Sequence, residues 1–218
     1  MSKFMLVIFF LAFPLFANTT VGIPTVNMTE TLKLMSEQND NKYANFLLGV
    51  MYLNGDQEVK QDIRKAIEHF EKDADNLSYA SYMLGLIAAK GYGKVAPDYN
   101  KAINYFIKSY KLYSAPDNKE VGPVALAAIG NIYLNNLQKP KEALEFLLQA
   151  SELRSMPNVD FVIALIYYTS EAPLKNDNLA EYYLNKAYNN ATVEERKYMD
   201  NYIEGKQTTS KEGACIEY

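Results

Sequence analysis

A register that returns after 36 residues constrains this chain more than any other feature. Leu48 to Gly55 reads LGVMYLNG, and Leu84 to Gly91 reads LGLIAAKG. Carried along the chain at the same offset, Ala44 meets Ala80, Val59 meets Val95, Asp62 meets Asp98, Lys65-Ala66 meets Lys101-Ala102, and Phe70 meets Phe106. So many coincidences in one register mark an internal repeat. A repeat of this length is one supersecondary unit that buries its apolar face only by stacking on neighbours.

Each unit reads as two helices. The first spans about Tyr43 to Asn54, with Ala44, Leu47, Leu48 and Met51 at helical spacing. Gly55 follows where a left-handed residue ends a helix. Asp62 is placed to cap the second helix, whose face carries Ala66, Ile67 and Phe70; Asp98, Ala102, Ile103 and Phe106 repeat the pattern. Gly49 and Gly85 lie inside their first helices, where glycine costs about 1 kcal/mol relative to alanine. Close approach of the second helix, around Ala66, explains that cost.

Two weaker units follow. The third keeps Ala125, Gly130 and Tyr133, has Asn136 where the helix-ending glycine belongs, and starts its second helix at Pro140. The fourth has Ala164 in the glycine place and Leu184 in the phenylalanine place, which puts its close packing in doubt. An insertion, YSAPDNKEVGP, reads as a loop that runs through Pro123. Thr29 to Gln38 and Thr192 to Ile203 read as capping helices, the latter opened by a Thr192/Glu195 capping box. The expected fold is all-α: a right-handed superhelix of about four helix pairs, with the repeats over 41–190, an N-terminal segment and cap over 18–40, a C-terminal cap over 191–204 and a flexible tail over 205–218.

Residues 1–17, MSKFMLVIFFLAFPLFA, have the positive start, short apolar run and small final residue of a secretory signal peptide. That predicts a secreted or periplasmic protein with no membrane insertion after cleavage. The single cysteine, Cys215, excludes an intramolecular disulfide. The net charge of −4 and the lack of a basic stripe argue against nucleic acid. One histidine, His69, excludes paired-histidine metal sites, and its place in a second helix reads as packing. No G-x-S-x-G, S-x-x-K or phosphate loop is present, so neither a catalytic residue, a metal nor a cofactor is expected.

The pattern A-x-x-x-L-G-x-x-Y-x-x-G…V-x-x-D-x-x-K-A-x-x-x-F resembles the Sel-one-like repeat (SLR), a relative of the tetratricopeptide repeat (TPR). The first unit matches at Ala44, Leu48, Gly49, Tyr52, Gly55, Val59, Asp62, Lys65, Ala66 and Phe70; the second has Ala88 in the tyrosine place. The resemblance implies an adaptor whose first helices line a concave wall that holds a protein or peptide. Transferred by register, that wall contains Tyr43, Phe46 and Asn54, then Tyr79, Tyr82 and Lys90, then Asn131 and Asn135, then Asn158, Phe161 and Tyr168. Tyr79 and Tyr82 stand at its centre. The resemblance also implies an alternative, an immunity protein that neutralises an exported toxic effector such as a lipase. A β-lactamase-like hydrolase is the remote third reading, since the regular cysteines of those relatives are missing here.

Overall fold

The computed structural model describes residues 28–37, 43–55, 59–92, 95–113 and 121–213. Among them there is no strand; one isolated bridge pairs Tyr92 with Val95. The helices are α1 (Met28–Glu37), α2 (Ala44–Asn54), α3 (Ile63–Asp73), α4 (Ser78–Lys90), α5 (Tyr99–Lys111), α6 (Val121–Asn131), α7 (Pro140–Leu153), α8 (Pro157–Thr169), α9 (Asp177–Asn190) and α10 (Val193–Gly213). The chain divides into two compact units, one through Lys139 and one from Pro140. The expected signal peptide, Cys215 and most of the expected insertion lie outside the described residues.

In the first unit each helix packs on the next, α1 on α2, α2 on α3, and so on to α6; α4 also meets α6. The caps are those the sequence asks for. The Asp62 carboxylate accepts from the N–H groups of Arg64 and Lys65, and the Asp98 carboxylate from that of Lys101. Ala44, Leu48, Ala66 and Phe70 are fully buried, as are Ala80, Ala102 and Phe106 to within 1 %. Burying a phenylalanine contributes on the order of 2–3 kcal/mol, so each ring is among the larger contributors to its hairpin.

The interior glycines explain how the rings fit. A Cβ on Gly49 would lie 2.5 Å from the Phe70 ring, and one on Gly85 would lie 2.6 Å from the Phe106 ring. The neighbour is therefore the aromatic ring, not the Ala66 backbone region, because the ring lies flat across the bare stretch of first helix. Gly55 and Gly91 end their helices with φ of 69° and 67°, as expected. Their ψ values of 156° and 176° place them beyond the left-handed helical region, in conformations essentially reserved for glycine.

The third repeat departs from expectation. Val121, Gly122 and Pro123 belong to the first turn of α6 and are buried, so the insertion stops before Val121. The Tyr113 ring lies against Gly122, where a Cβ would collide with it. After Asn131 the helix widens into a five-residue π turn, Ile132–Asn136, and the positive-φ residue is Gln138, at 55°, not Asn136.

In the second unit α8 packs on α7, α9 and α10. Thr192 and Glu195 form the expected capping box: the Glu195 N–H donates to Thr192 Oγ1 at 3.2 Å, and the Thr192 N–H to Glu195 Oε2 at 2.8 Å. Helix α10 continues to Gly213 instead of ending near Glu204. No proline or competing cap stops it, and Gly205 alone costs too little to break it.

Candidate partner-binding face

The first helices α2, α4 and α6 supply the candidate face of the first unit. On α2, Tyr43 and Phe46 are half-buried and Asn54 is exposed. Phe46 lies between two rings, with centroids 5.8 Å from Phe70 and 6.1 Å from Tyr79. Its N–H donates to Asp73 Oδ2 at 2.9 Å. Burial raises the Asp73 carboxyl above the usual range, and that N–H bond pulls partly the other way.

On α4, Tyr79 and Tyr82 are half-buried and Lys90 is exposed. Tyr82 is set deeper than a wall residue needs to be. Its ring lies 5.4 Å from Phe106, and burial pushes its hydroxyl up to about 12. Tyr82 thus serves the α4–α5 hairpin, whereas Tyr79 packs beside the Phe70 cluster at its edge. On α6 and the π turn, Asn131 and Asn135 stand one helical turn apart. Asn131 Oδ1 and both amide atoms of Asn135 are buried without hydrogen bonds.

In the second unit the three expected residues part ways. Tyr168 is 66 % exposed and Asn158 is half-buried. Phe161 is 3 % exposed and packs with Ala187 and Met199, its ring edge-on to Tyr202 at 5.7 Å. It is a core residue and not part of the wall: α10 covers the place where a partner would have to reach it.

His69 is a packing residue. Its ring stacks on Tyr52 at 5.5 Å, and its Nδ1 lies 3.1 Å from Asn45 Oδ1, which also accepts from the Ser36 hydroxyl at 2.7 Å. Burial, then the Lys72 charge, lowers its pKa.

One polar cluster escaped the sequence reading. Asp160, fully buried on α8, accepts through Oδ1 from the Ser151 hydroxyl and from Lys186 Nζ, the latter at 3.1 Å. Lys186 also donates to Ser151 Oγ at 2.5 Å and to Ser151 O at 3.3 Å. A serine beside a lysine suggests a nucleophile and its base. Here the lysine amine is tied to three oxygens, Asp160 Oδ1, Ser151 Oγ and Ser151 O, and the serine hydroxyl to the same carboxylate, so the contacts are those of a structural tie. Ser151 is only 5 % exposed. The cluster ties α7, α8 and α9 together. Its one signal in the sequence was a lone aspartate in the otherwise uncharged helix PNVDFVIALIYYT.

No group of three or more His, Cys, Asp or Glu side chains is arranged to hold a metal among the described residues, and no described helix is long and apolar enough to cross a membrane.

The Sel1 repeat model matches residues 42–76, 78–114, 123–155 and 161–191. Among curated proteins none matches. A Sel1 repeat protein from Oxalobacter formigenes has a similar structure, with a TM-score of 0.61 and 19 % identity over 79 % of this chain and 66 % of that one. So has c5321, a protective antigen of uropathogenic Escherichia coli with an SLR fold: TM-score 0.61, 23 % identity, covering 81 % of this chain and 36 % of the other. The immunity protein Pa5087 of Pseudomonas aeruginosa matches more loosely, at TM-score 0.42 and 16 % identity, over 73 % of this chain and 57 % of its own. Repeats of this kind are in general non-enzymatic scaffolds for protein–protein interaction. With four matched repeats over more than half its length, the helix-pair fold they build and the glycine–phenylalanine register that joins each of the first two pairs, the chain belongs to the Sel1 repeat family.

Proposed function

We propose that this protein is an exported, non-enzymatic adaptor that holds a segment of another protein on the first-helix face of its first unit. The observation that carries this reading is the chemistry of that face. Aromatic rings at Phe46 and Tyr79 sit half-buried together, and exposed Asn54 and Lys90 end the same two helices, a mixture of apolar area and hydrogen-bonding tips of the kind that anchors protein interfaces. Export is supported by the sequence of residues 1–17 alone.

Two experiments test this. A photocrosslinking residue placed at Asn54 or Lys90, on the first helices, is expected to trap a partner protein in the native host. The same residue at Lys72, exposed on α3, is expected not to. Trapping from Lys72 alone, or from none of the three, overturns the assignment of the face. N-terminal sequencing of the mature protein checks export, with Asn18 expected as the first residue; an intact Met1 in the cytoplasm overturns it.

A further inference from the structure

Charge is sorted between the two helix layers of the first unit. The second helices are ordinary solvated helices: α3 carries Arg64, Lys65, Glu68, Glu71, Lys72 and Asp73, and α5 carries three lysines. The first helices, α2, α4 and α6 with its π turn, contain one charged residue among them, Lys90. Complete burial does not account for this. Leu47 of α2 is 40 % exposed, Asn54 and Asn136 are exposed, and Tyr79, Leu86 and Ala89 of α4 keep part of their surface in solvent. Protein surface open to water normally carries charge at roughly a quarter of its positions or more. Here solvent-facing positions are filled by leucine, alanine, tyrosine and asparagine.

We infer that the partner segment is itself uncharged and apolar, and that its recognition does not depend on ion pairing. This rests on the adaptor reading above and names the chemistry of its ligand. A charged segment laid on this face would lose water and gain no opposite charge from these helices apart from Lys90 at the end of α4; the nearby Asp73 carboxylate is already occupied by the Phe46 N–H. An apolar segment gains by covering Leu86 and Tyr79. A polypeptide fits better than an acyl chain. The face ends in groups that need hydrogen-bonding partners, the exposed Asn54 carboxamide and the Lys90 ammonium, and main-chain groups can supply them while hydrocarbon cannot.

The test is selection of random peptides displayed on phage against the immobilised full-length protein. Neutral phosphatidylcholine vesicles serve as the competing probe. The enriched peptides are expected to be apolar and low in charge. Affinity of the wild-type chain for them should change less than about twofold as salt rises from about 0.05 M to about 0.5 M, a range that screens exposed charges strongly. Leu86→Glu and Leu86→Lys, each with a retained melt, should both weaken binding, by about tenfold or more. Enrichment of acidic or basic peptides, or strengthening by one of the two Leu86 variants, overturns this inference and leaves the adaptor reading standing. Peptides that bind but ignore both variants also overturn it, since they sit elsewhere. Vesicle binding without peptide binding overturns both readings, and no binding to either probe overturns this one. Peptide composition and salt response use the wild-type chain alone, so a variant that fails to fold does not remove the test.

Discussion

The two units hold their helices together by different physics. In the first, hairpins close by volume: a phenylalanine ring lies on a glycine, once at Gly49 and Phe70 and once at Gly85 and Phe106. In the second, the repeat that should follow this rule has Ala164 and Leu184 instead, and Ala164 is buried at 4 % exposure. A methyl group has been added where a ring has been trimmed to an aliphatic side chain. The joint between helices is then supplemented by charge, through Ser151 of α7, Asp160 of α8 and Lys186 of α9. Close packing is non-directional and intolerant of added atoms. A buried carboxylate is directional and intolerant of losing its partner. One repeat motif thus permits two kinds of joint, and their failures differ.

The largest effect is expected where charge does the joining. Lys186→Met leaves Asp160 buried, with one oxygen already without a hydrogen bond, and removes the opposite charge. Breaking such a pair costs about 3–5 kcal/mol. Lys186 is part-exposed, so the lower end, about 3 kcal/mol, applies. The double variant Asp160→Leu with Lys186→Met should recover most of it, because no charge then remains to be compensated. Calorimetric melts of the single and double variants check this. Equal destabilisation by both would show that packing, not charge, holds α8 in place.

Next in size is the glycine joint. Gly49→Ala puts a carbon 2.5 Å from the Phe70 ring, and overpacking of this kind costs about 1–3 kcal/mol. The comparison sharpens if Phe70→Leu is added to Gly49→Ala, which copies the Ala164/Leu184 combination into the first unit. The two substitutions touch one contact, so their effects should not add, and the double variant should melt above the sum of the singles. Strict additivity would mean that the ring can move aside freely.

A smaller loss belongs to Thr192→Ala, which removes the hydroxyl that accepts from the Glu195 N–H. A lost cap costs about 1 kcal/mol. The shift should appear in the melt of full-length protein, and Thr192→Ser should restore it.

What the sequence made legible follows the same division. Rules of period and cap, such as Asp62, Asp98 and the Thr192/Glu195 box, act within a few residues and transferred directly. The glycines pointed to a close approach, but which atoms approach depends on the ring's rotamer, so Ala66 was named and Phe70 is the neighbour. The π turn at Ile132–Asn136 has no composition of its own. Phe161 follows the wall register, yet α10, more than thirty residues later in the chain, covers it. The Ser151–Asp160–Lys186 cluster joins residues of three helices that no local pattern links. Tyr82 lies in the register of the face but turns its ring to Phe106, so register alone separates wall from core poorly for a large aromatic side chain.

The smallest expected effect is a pH dependence of the first unit. His69 is the chain's single histidine, so a change near its ordinary pKa of about 6.5 has no other side chain as its ordinary source. Burial and then Lys72 lower its pKa in the folded state; Glu68 opposes them, and Lys33 and Lys65 lower it by less. A depressed histidine pKa means that the unfolded chain takes up the proton first. The contribution of His69 is therefore flat above about pH 7 and falls as pH drops through the unfolded value toward the folded one. Asp73, in the same α2–α3 joint, has its pKa raised by burial; it acts in the opposite sense, adding stability only at lower pH, as it takes up its proton. Urea titrations at a series of pH values should show this shallow decline, and His69→Gln should flatten it. A slope of the same size in the Gln variant would place the titrating group outside the Asn45–His69–Tyr52 contact.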